Sequence, residues 1–159
     1  MKKLRGPKLS IEKMTLKYVD EVVEIENLLY SDPWSRKSFL YEVIANQFST
    51  PKVLLMDKMV IGYAIVWTIF EEFHIANIAI HPDYQNQGFG TFLLSEILKE
   101  DKGLEYAILE VRESNLPAIH LYEKFGFTKI SKRYRYYSNG ENAIIMRKKF
   151  NTPRKSIPV

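Results

Sequence analysis

Residues 77–91, reading N-I-A-I-H-P-D-Y-Q-N-Q-G-F-G-T, constrain the fold more than any other stretch of the chain. The apolar run at 73–80 reads as a buried strand, and His81-Pro82-Asp83 stops it. Proline cannot donate to a ladder, and it biases the residue before it away from helix. Gln85-Asn86-Gln87-Gly88-Phe89-Gly90 follows, and a helix-forming segment begins at Thr91. A strand, a glycine-bearing turn and a helix start in that order leave unpaired backbone N–H groups at the positive end of a helix dipole. That is a ready anion site, and the glycines let a phosphate approach the main chain. The spacing excludes two other phosphate binders. No Lys-Ser or Lys-Thr follows the glycines, as a P-loop requires, and Gly88-Phe89-Gly90-Thr91-Phe92-Leu93 lacks the third glycine of the dinucleotide fingerprint.

The rest of the chain fits around this unit. A first strand is expected at 9–14, then a helix at 16–29 capped by Thr15, with Val19, Val22, Val23, Ile25, Leu28 and Leu29 as its apolar side. Ser31-Asp32-Pro33-Trp34 breaks it, and Ser35 caps a second helix to about residue 45 with Phe39, Leu40, Val43 and Ile44 facing inward. Strands at 52–56 and 60–70 form a hairpin about Asp57-Lys58. A third helix at 88–100 ends at Asp101-Lys102-Gly103, with Gly103 suited to a left-handed cap. An apolar, central strand follows at 106–111. Asn115 caps a fourth helix, Pro117 sits in its first turn and Gly126 ends it. Segments 128–137 and 143–150 form a closing hairpin about Ser138-Asn139-Gly140. Strands followed by helices at both central crossovers predict an α/β fold with a mixed sheet, with antiparallel hairpins on either side.

Composition narrows the chemistry. A chain of 159 residues that is 46% hydrophobic suits one folded domain over 1–150, with 151–159 as a loose basic tail. No cysteine is present, which excludes disulfides, thiolate metal ligands and a cysteine nucleophile, and is compatible with a cytoplasmic setting. Three scattered histidines make a poor zinc site. The basic N-terminus has no apolar h-region, and the apolar run at 60–70 is too short to span a bilayer. Charge is segregated. Residues 1–8, 129–149 and 150–159 hold four, seven and two of the 23 Lys and Arg with a single acid, Glu141, so the stretch between is acidic. Solvated surface charge accounts for this most simply, and contact of the basic ends with RNA or a ribosomal partner is the sharper alternative.

Further motifs stand in order along the chain. Gln85-x-x-Gly88-x-Gly90 follows the I-A-I-H-P-D-Y strand end, and Leu109-Glu110-Val111-Arg112-Glu113-Ser114-Asn115 occupies the fifth strand. Ala118-Ile119-His120-Leu121-Tyr122-Glu123-Lys124-Phe125-Gly126-Phe127 forms the fourth helix, with Asp32-Pro33-Trp34-Ser35 before it and Ala143-Ile144-Ile145-Met146 after it. Over residues 9–148 the combination resembles the GNAT family of N-acetyltransferases, in particular its RimI branch of ribosomal-protein-alanine N-acetyltransferases. The resemblance implies a GNAT acyl-CoA N-acyltransferase fold of about seven strands and four helices. It also implies a cytoplasmic enzyme, monomer or weak dimer, that moves acetyl from acetyl-CoA to a protein N-terminus.

The resemblance also assigns roles. Glu110 is the expected general base, acting through water on an α-amine whose ordinary pKa is about 7.7–8.0. A carboxylate inside an apolar strand is expected to have its pKa raised by burial, although pairing with Arg112 or capping a loop would explain the residue structurally. Tyr122 is the expected acid for the departing thiolate, and its structural alternative is packing beside Leu121 and Phe125. Ile78, Ala79 and Ile80 would pair with the pantetheine arm, an N–H near Ile80 would serve the acetyl oxygen, and no metal is required. Gln85, Asn86, Gln87, Gly88, Phe89, Gly90 and Thr91 would cradle the pyrophosphate. Asn115 would contact the CoA arm, or serve only as a cap.

This chain departs from the pattern at Asn86, where many relatives carry a base, and at Asn142, where they often carry an acid. His81 replaces an acid and is expected to close a turn. For the acceptor, Glu21, Glu24, Glu26, Asp32 and Glu42 are expected to attract a basic peptide, with a solvated helix face as the alternative. Tyr134, Tyr136 and Tyr137 among Lys132, Arg133 and Arg135 would line the same groove or bind single-stranded RNA. Acetylation of small amines or lysine side chains, or a CoA-binding or ribosome-associated role without turnover, remain the competing functions.

Overall fold

The computed structural model describes residues 5–100 and 103–150. Its strands are β1 (Leu9–Lys13), β2 (Ser49–Met56), β3 (Met59–Ile69), β4 (Glu72–Ile80), β5 (Tyr106–Arg112), β6 (Thr128–Arg133) and β7 (Ala143–Lys149). The helices are α1 (Val19–Leu29), α2 (Arg36–Ile44), α3 (Phe89–Leu98) and α4 (Leu116–Lys124), with 3₁₀ turns at Leu16–Tyr18 and Pro82–Tyr84. The seven strands form one mixed sheet in the order β1-β2-β3-β4-β5-β7-β6. No helix among the described residues is long and apolar enough to cross a membrane.

The chain divides into two compact units, Met1–Ile65 with Asn77–Leu93, and Val66–Ala76 with Leu94–Val159. In the first unit, β1 pairs antiparallel with β2 from Leu9↔Met56 to Lys13↔Lys52. Met14, Val22, Phe39, Leu54, Ile61 and Tyr63 are fully buried there, and the Phe39 ring meets Tyr63 edge-on at 5.6 Å. Ser35 caps α2 as expected, accepting the Ser38 N–H at 3.1 Å. Thr15 does not cap with its side chain. The Thr15 carbonyl instead accepts the Tyr18 N–H, so a 3₁₀ turn leads into α1. Ile44 is 68% exposed rather than inward, because α2 turns Phe39 and Glu42 to the interior.

In the second unit, β4 and β5 run parallel, the pairing that a helical crossover such as α3 permits. β7 then lies antiparallel to β5 from Tyr106↔Lys149 to Arg112↔Ala143, and β6 pairs outside it. The closing hairpin is shorter than its pattern suggests: β6 ends at Arg133, and residues 134–142 form the connection. Gly126 takes the left-handed φ of 92° that its capping role requires; Gly103 has a positive φ of 72°, but α3 ends at Leu98, five residues before it. Asp101 and Lys102, expected to end the third helix, and the expected tail at 151–159 lie outside the described residues, as do the first four residues of the basic N-terminus.

Candidate active site

In the first unit, the end of β4 is fixed from β3. Ile61 O accepts the His81 N–H at 2.8 Å. A Cβ on Gly62 would lie 2.8 Å from Ala79 O and 2.7 Å from Ile80 Cδ1, so only glycine lets the two strands approach this closely. Ile78, Ala79 and Ile80 therefore stand on an immobilised strand end. The loop beyond is tied back to it, since Gln85 Nε2 donates to Ile80 O at 3.0 Å and Gln87 Nε2 donates to Asp83 O at 3.1 Å. His81 closes the turn as expected, its Nδ1 accepting the Asp83 N–H at 3.0 Å.

Asn86 and Gly88 take positive φ of 60° and 86°, which turns the chain into α3. A Cβ on Gly88 would meet nothing within 4 Å, so the space above the loop is open. Phe92 N donates to Gly88 O at 3.0 Å, the first bond of the helix, and leaves the amides of Phe89, Gly90 and Thr91 as first-turn donors without intrahelical partners. Such donors at a positive dipole end suit a pyrophosphate, even with Asn86 in place of a base.

The same unit holds a buried carboxylate that the sequence assigned to the surface. Glu26 is 2% exposed, accepts the Tyr63 hydroxyl, and takes Asn77 Nδ2 and Trp34 N at 3.0 Å each. Burial and the Glu26 charge hold the Tyr63 phenol well above its usual range, so it stays a donor. Glu42 is likewise buried, taking Asn46 Nδ2 at 3.0 Å, and Glu21 accepts the Val60 N–H at 3.3 Å. Of the five acids expected to attract a basic peptide, Glu26 and Glu42 are buried and committed internally, while Glu21, Glu24 and Asp32 are exposed.

In the second unit, β4 and β5 pair from Glu72↔Tyr106 to Ile75↔Leu109, with His74 opposite Ile108. Alternation puts Glu110, two residues on, on the same face as His74. Their side chains meet, His74 Nε2 lying 2.9 Å from Glu110 Oε2, and the Trp67 ring packs edge-on to His74 at 5.1 Å. The Glu110 carboxyl is held below the ordinary carboxylate range, chiefly by this hydrogen bond, with the His74 and Arg133 charges adding to it. Burial does push upward, as expected, but the pairing with His74 outweighs it. The expectation of a raised pKa is therefore corrected. Glu110 is ionised and able to accept a proton across the neutral range. Its partner is His74 rather than Arg112.

Tyr122 projects from α4, is 7% exposed and meets the Phe127 ring at 5.8 Å. Asn115 caps α4, its Oδ1 accepting the Ala118 N–H at 3.3 Å. Arg112 turns to the connection between β6 and β7. Its guanidinium lies 3.9 Å from the Tyr137 ring centre and donates to Glu141 Oε2 at 3.3 Å, while Glu141 also takes the Ser114 hydroxyl. Glu113 accepts Asn142 Nδ2 at 2.8 Å, and Asn142 Oδ1 takes the Arg135 N–H. Asn142 thus serves the connection on both sides, at the position where the resemblance led to the expectation of an acid. Burial pushes the Tyr137 phenol up to about 12, so it is protonated at neutral pH. Tyr134 and Tyr136 are exposed, so the three tyrosines do not share one environment. Among the described residues, no group of His, Asp and Glu is arranged to hold a metal ion.

Sequence reasoning placed Glu26 among the surface acids, paired Arg112 with Glu110 and gave His74 no role, and so missed the partners that the structure gives these three residues. The available signal was polar side chains inside otherwise apolar strands on either side of a βαβ crossover, His74 in one and Glu110 in the other.

Comparison with known proteins follows the same lines. The profile of the Acetyltransferase (GNAT) family matches residues 19–127. The [ribosomal protein bS18]-alanine N-acetyltransferase of Haemophilus influenzae is 39% identical over 133 residues, covering 80% of this chain and 89% of that protein. The crystal structure of the ribosomal-protein-S18-alanine N-acetyltransferase from Escherichia coli superposes with a TM-score of 0.86 at 30% identity, covering 96% of this chain and 100% of that one. In fold alone, Arabidopsis thaliana NAA60 in complex with acetyl-CoA is similar at a TM-score of 0.80 and 13% identity, covering 90% of this chain and 100% of that one.

Proposed function

The chain belongs to the GNAT family of acetyltransferases, and on that premise we propose that it transfers acetyl from acetyl-CoA to the N-terminal α-amino group of a protein, with N-terminal alanine of a ribosomal protein as the acceptor. The observation that carries this reading is the 39% identity to the Haemophilus influenzae enzyme over 80% of the chain. We read residues 1–150 as one catalytic domain, consistent with a family match that runs through both compact units.

We assign the roles by the family resemblance, in keeping with the chemistry of the residues. The amides of Phe89, Gly90 and Thr91, with the loop from Gln85 to Gly88, hold the pyrophosphate of acetyl-CoA; the main chain of Ile78, Ala79 and Ile80 takes the pantetheine arm, and the family resemblance assigns Asn115 a contact with the CoA arm as well. The thioester is already activated, so the residues need only position it, supply a donor to the acetyl oxygen near Ile80, and move two protons. Glu110 takes one proton through water as the α-amine nitrogen bonds to the acetyl carbon. Tyr122 gives the other to CoA sulfur as the C–S bond breaks. Support for the base assignment is the ionised state of Glu110. An α-amine, with an ordinary pKa of about 7.7–8.0, suits so weak a base far better than a lysine at about 10.4.

The test is intact-mass analysis of peptides incubated with acetyl-CoA: Ala-, Ser- and Met-starting peptides, and N-blocked peptides with internal lysines. Acetylation confined to free N-termini, strongest at alanine, is the expected result. Modification of internal lysines alone, or of small amines only, overturns it.

A further inference from the structure

We propose that the β6–β7 edge of the second unit is a docking surface for single-stranded RNA. The inference stands apart from the acetyl-transfer reading, because apart from Arg133, whose charge also acts on Glu110, its residues have no part in that reading. β6 is the last strand of the sheet order, and every residue in it is exposed. Residues 129–149 carry seven Lys and Arg against one acid, and that acid, Glu141, is occupied by Arg112 and Ser114. Lys132 is neutralised by Glu113. Among the described residues, Lys129 and Arg135 have no carboxylate partner, so their charge faces solvent.

Aromatic groups stand between these cations. Tyr134 is 76% exposed with Lys132 Nζ 5.7 Å from its ring centre, and Tyr136 is 47% exposed with Arg133 Cζ at 5.6 Å. An exposed tyrosine offers a face on which a base can stack; beside Tyr136 the Arg133 cation can reach the adjacent phosphate, whereas at Tyr134, whose Lys132 neighbour is committed to Glu113, Arg135 is the next cation along the chain. The bulge between Lys129 and Ser131 twists the strand and leaves Ile130 45% exposed, which disfavours flat pairing with another strand. Charge selects a polyanion, and the interleaved rings select one with unstacked bases over an acidic peptide. Tyr137, folded onto Arg112, takes no part.

The experiment is fluorescence anisotropy of the full chain with a labelled oligouridine about fifteen nucleotides long. Binding is expected to weaken about tenfold or more when salt is raised roughly fourfold, as phosphate contacts dictate. Lys129→Glu is expected to weaken it severalfold, and Tyr134→Ala about fivefold or more through lost stacking. Circular dichroism and thermal melting establish that both variants fold. No binding at low salt, wild-type affinity in both folded variants, or displacement of the RNA by polyglutamate at equal charge concentration would each overturn the proposal. The last would mean that the surface reads negative charge alone and serves an acidic protein.

Discussion

His74 Nε2 and Glu110 Oε2 lie 2.9 Å apart across two parallel strands, and this contact is the largest influence on the Glu110 carboxyl. Removing it has a defined consequence. In His74→Ala, the Glu110 pKa is expected to rise, because burial then acts without its main opponent. Carboxyl carbon NMR titration reads this directly, and an unchanged midpoint would show that His74 does not set the ionisation.

Glu110→Gln keeps the shape of the side chain and removes its basicity. The expected loss in kcat is about 10²-fold or more, the range for a displaced general base, with KM for acetyl-CoA little changed. Because the wild-type carboxyl is already ionised far below neutrality, the rise of kcat/KM with pH near 7–8 is expected to track the peptide's own α-amine, near its ordinary value of about 7.7–8.0. A peptide with a lower amine pKa should shift that rise downward by the same amount.

Tyr122→Phe removes a phenol and leaves a ring packed against Phe127. Thermal stability is expected to fall by no more than about 0.5–1.5 kcal/mol, the net cost of one lost hydroxyl hydrogen bond. The kcat is expected to fall about 10²-fold if the phenol protonates the leaving thiolate. Acyl donors with more acidic thiols should lose less, and an equal loss for all donors would point to packing.

Gly62→Ala places a methyl group against Ala79 O and Ile80. Overpacking of this kind costs about 1–3 kcal/mol, and urea denaturation measures it. The β4 end must shift to make room, so a rise in KM for acetyl-CoA is expected beside the lost stability.

The connection over 134–142 is pinned by Glu141, whose carboxyl is held below its usual range first by the Ser114 hydroxyl. A depressed carboxylate contributes stability that is present above its unfolded pKa and lost as pH falls through the folded value. Amide protection factors at Arg135 and Tyr137, taken relative to intrinsic exchange at each pH, are therefore expected to be high near neutrality and to fall in acid. Glu141→Ala should show the lower protection already at neutral pH.

The order of strands and helices was legible because it is written locally. Apolar runs, the breakers His81-Pro82 and Asp32-Pro33, and the caps Ser35 and Asn115 all act within a few residues, and the structure follows them. What escaped depends on partners far along the chain. Glu26 looks like a surface acid on α1, yet it meets Tyr63 and Asn77, 37 and 51 residues away. Glu110 looks like a carboxylate with a raised pKa until His74, 36 residues before it, is brought alongside. Ile44 failed for a different reason: α2 carries apolar residues around most of its circumference, so periodicity does not say which side turns inward.

The insertion of β7 between β5 and β6 has a consequence for synthesis. The strand that carries Glu110 lacks its antiparallel neighbour until residues 143–149 have left the ribosome, although everything before them is already made. A nascent or truncated chain ending near residue 140 would present β5 with an open edge, prone to pairing with other chains. It would also lack the partner strand that aligns Glu110 opposite Ile145. The pairing that fixes the strand of Glu110 is thus among the last contacts the growing chain can make.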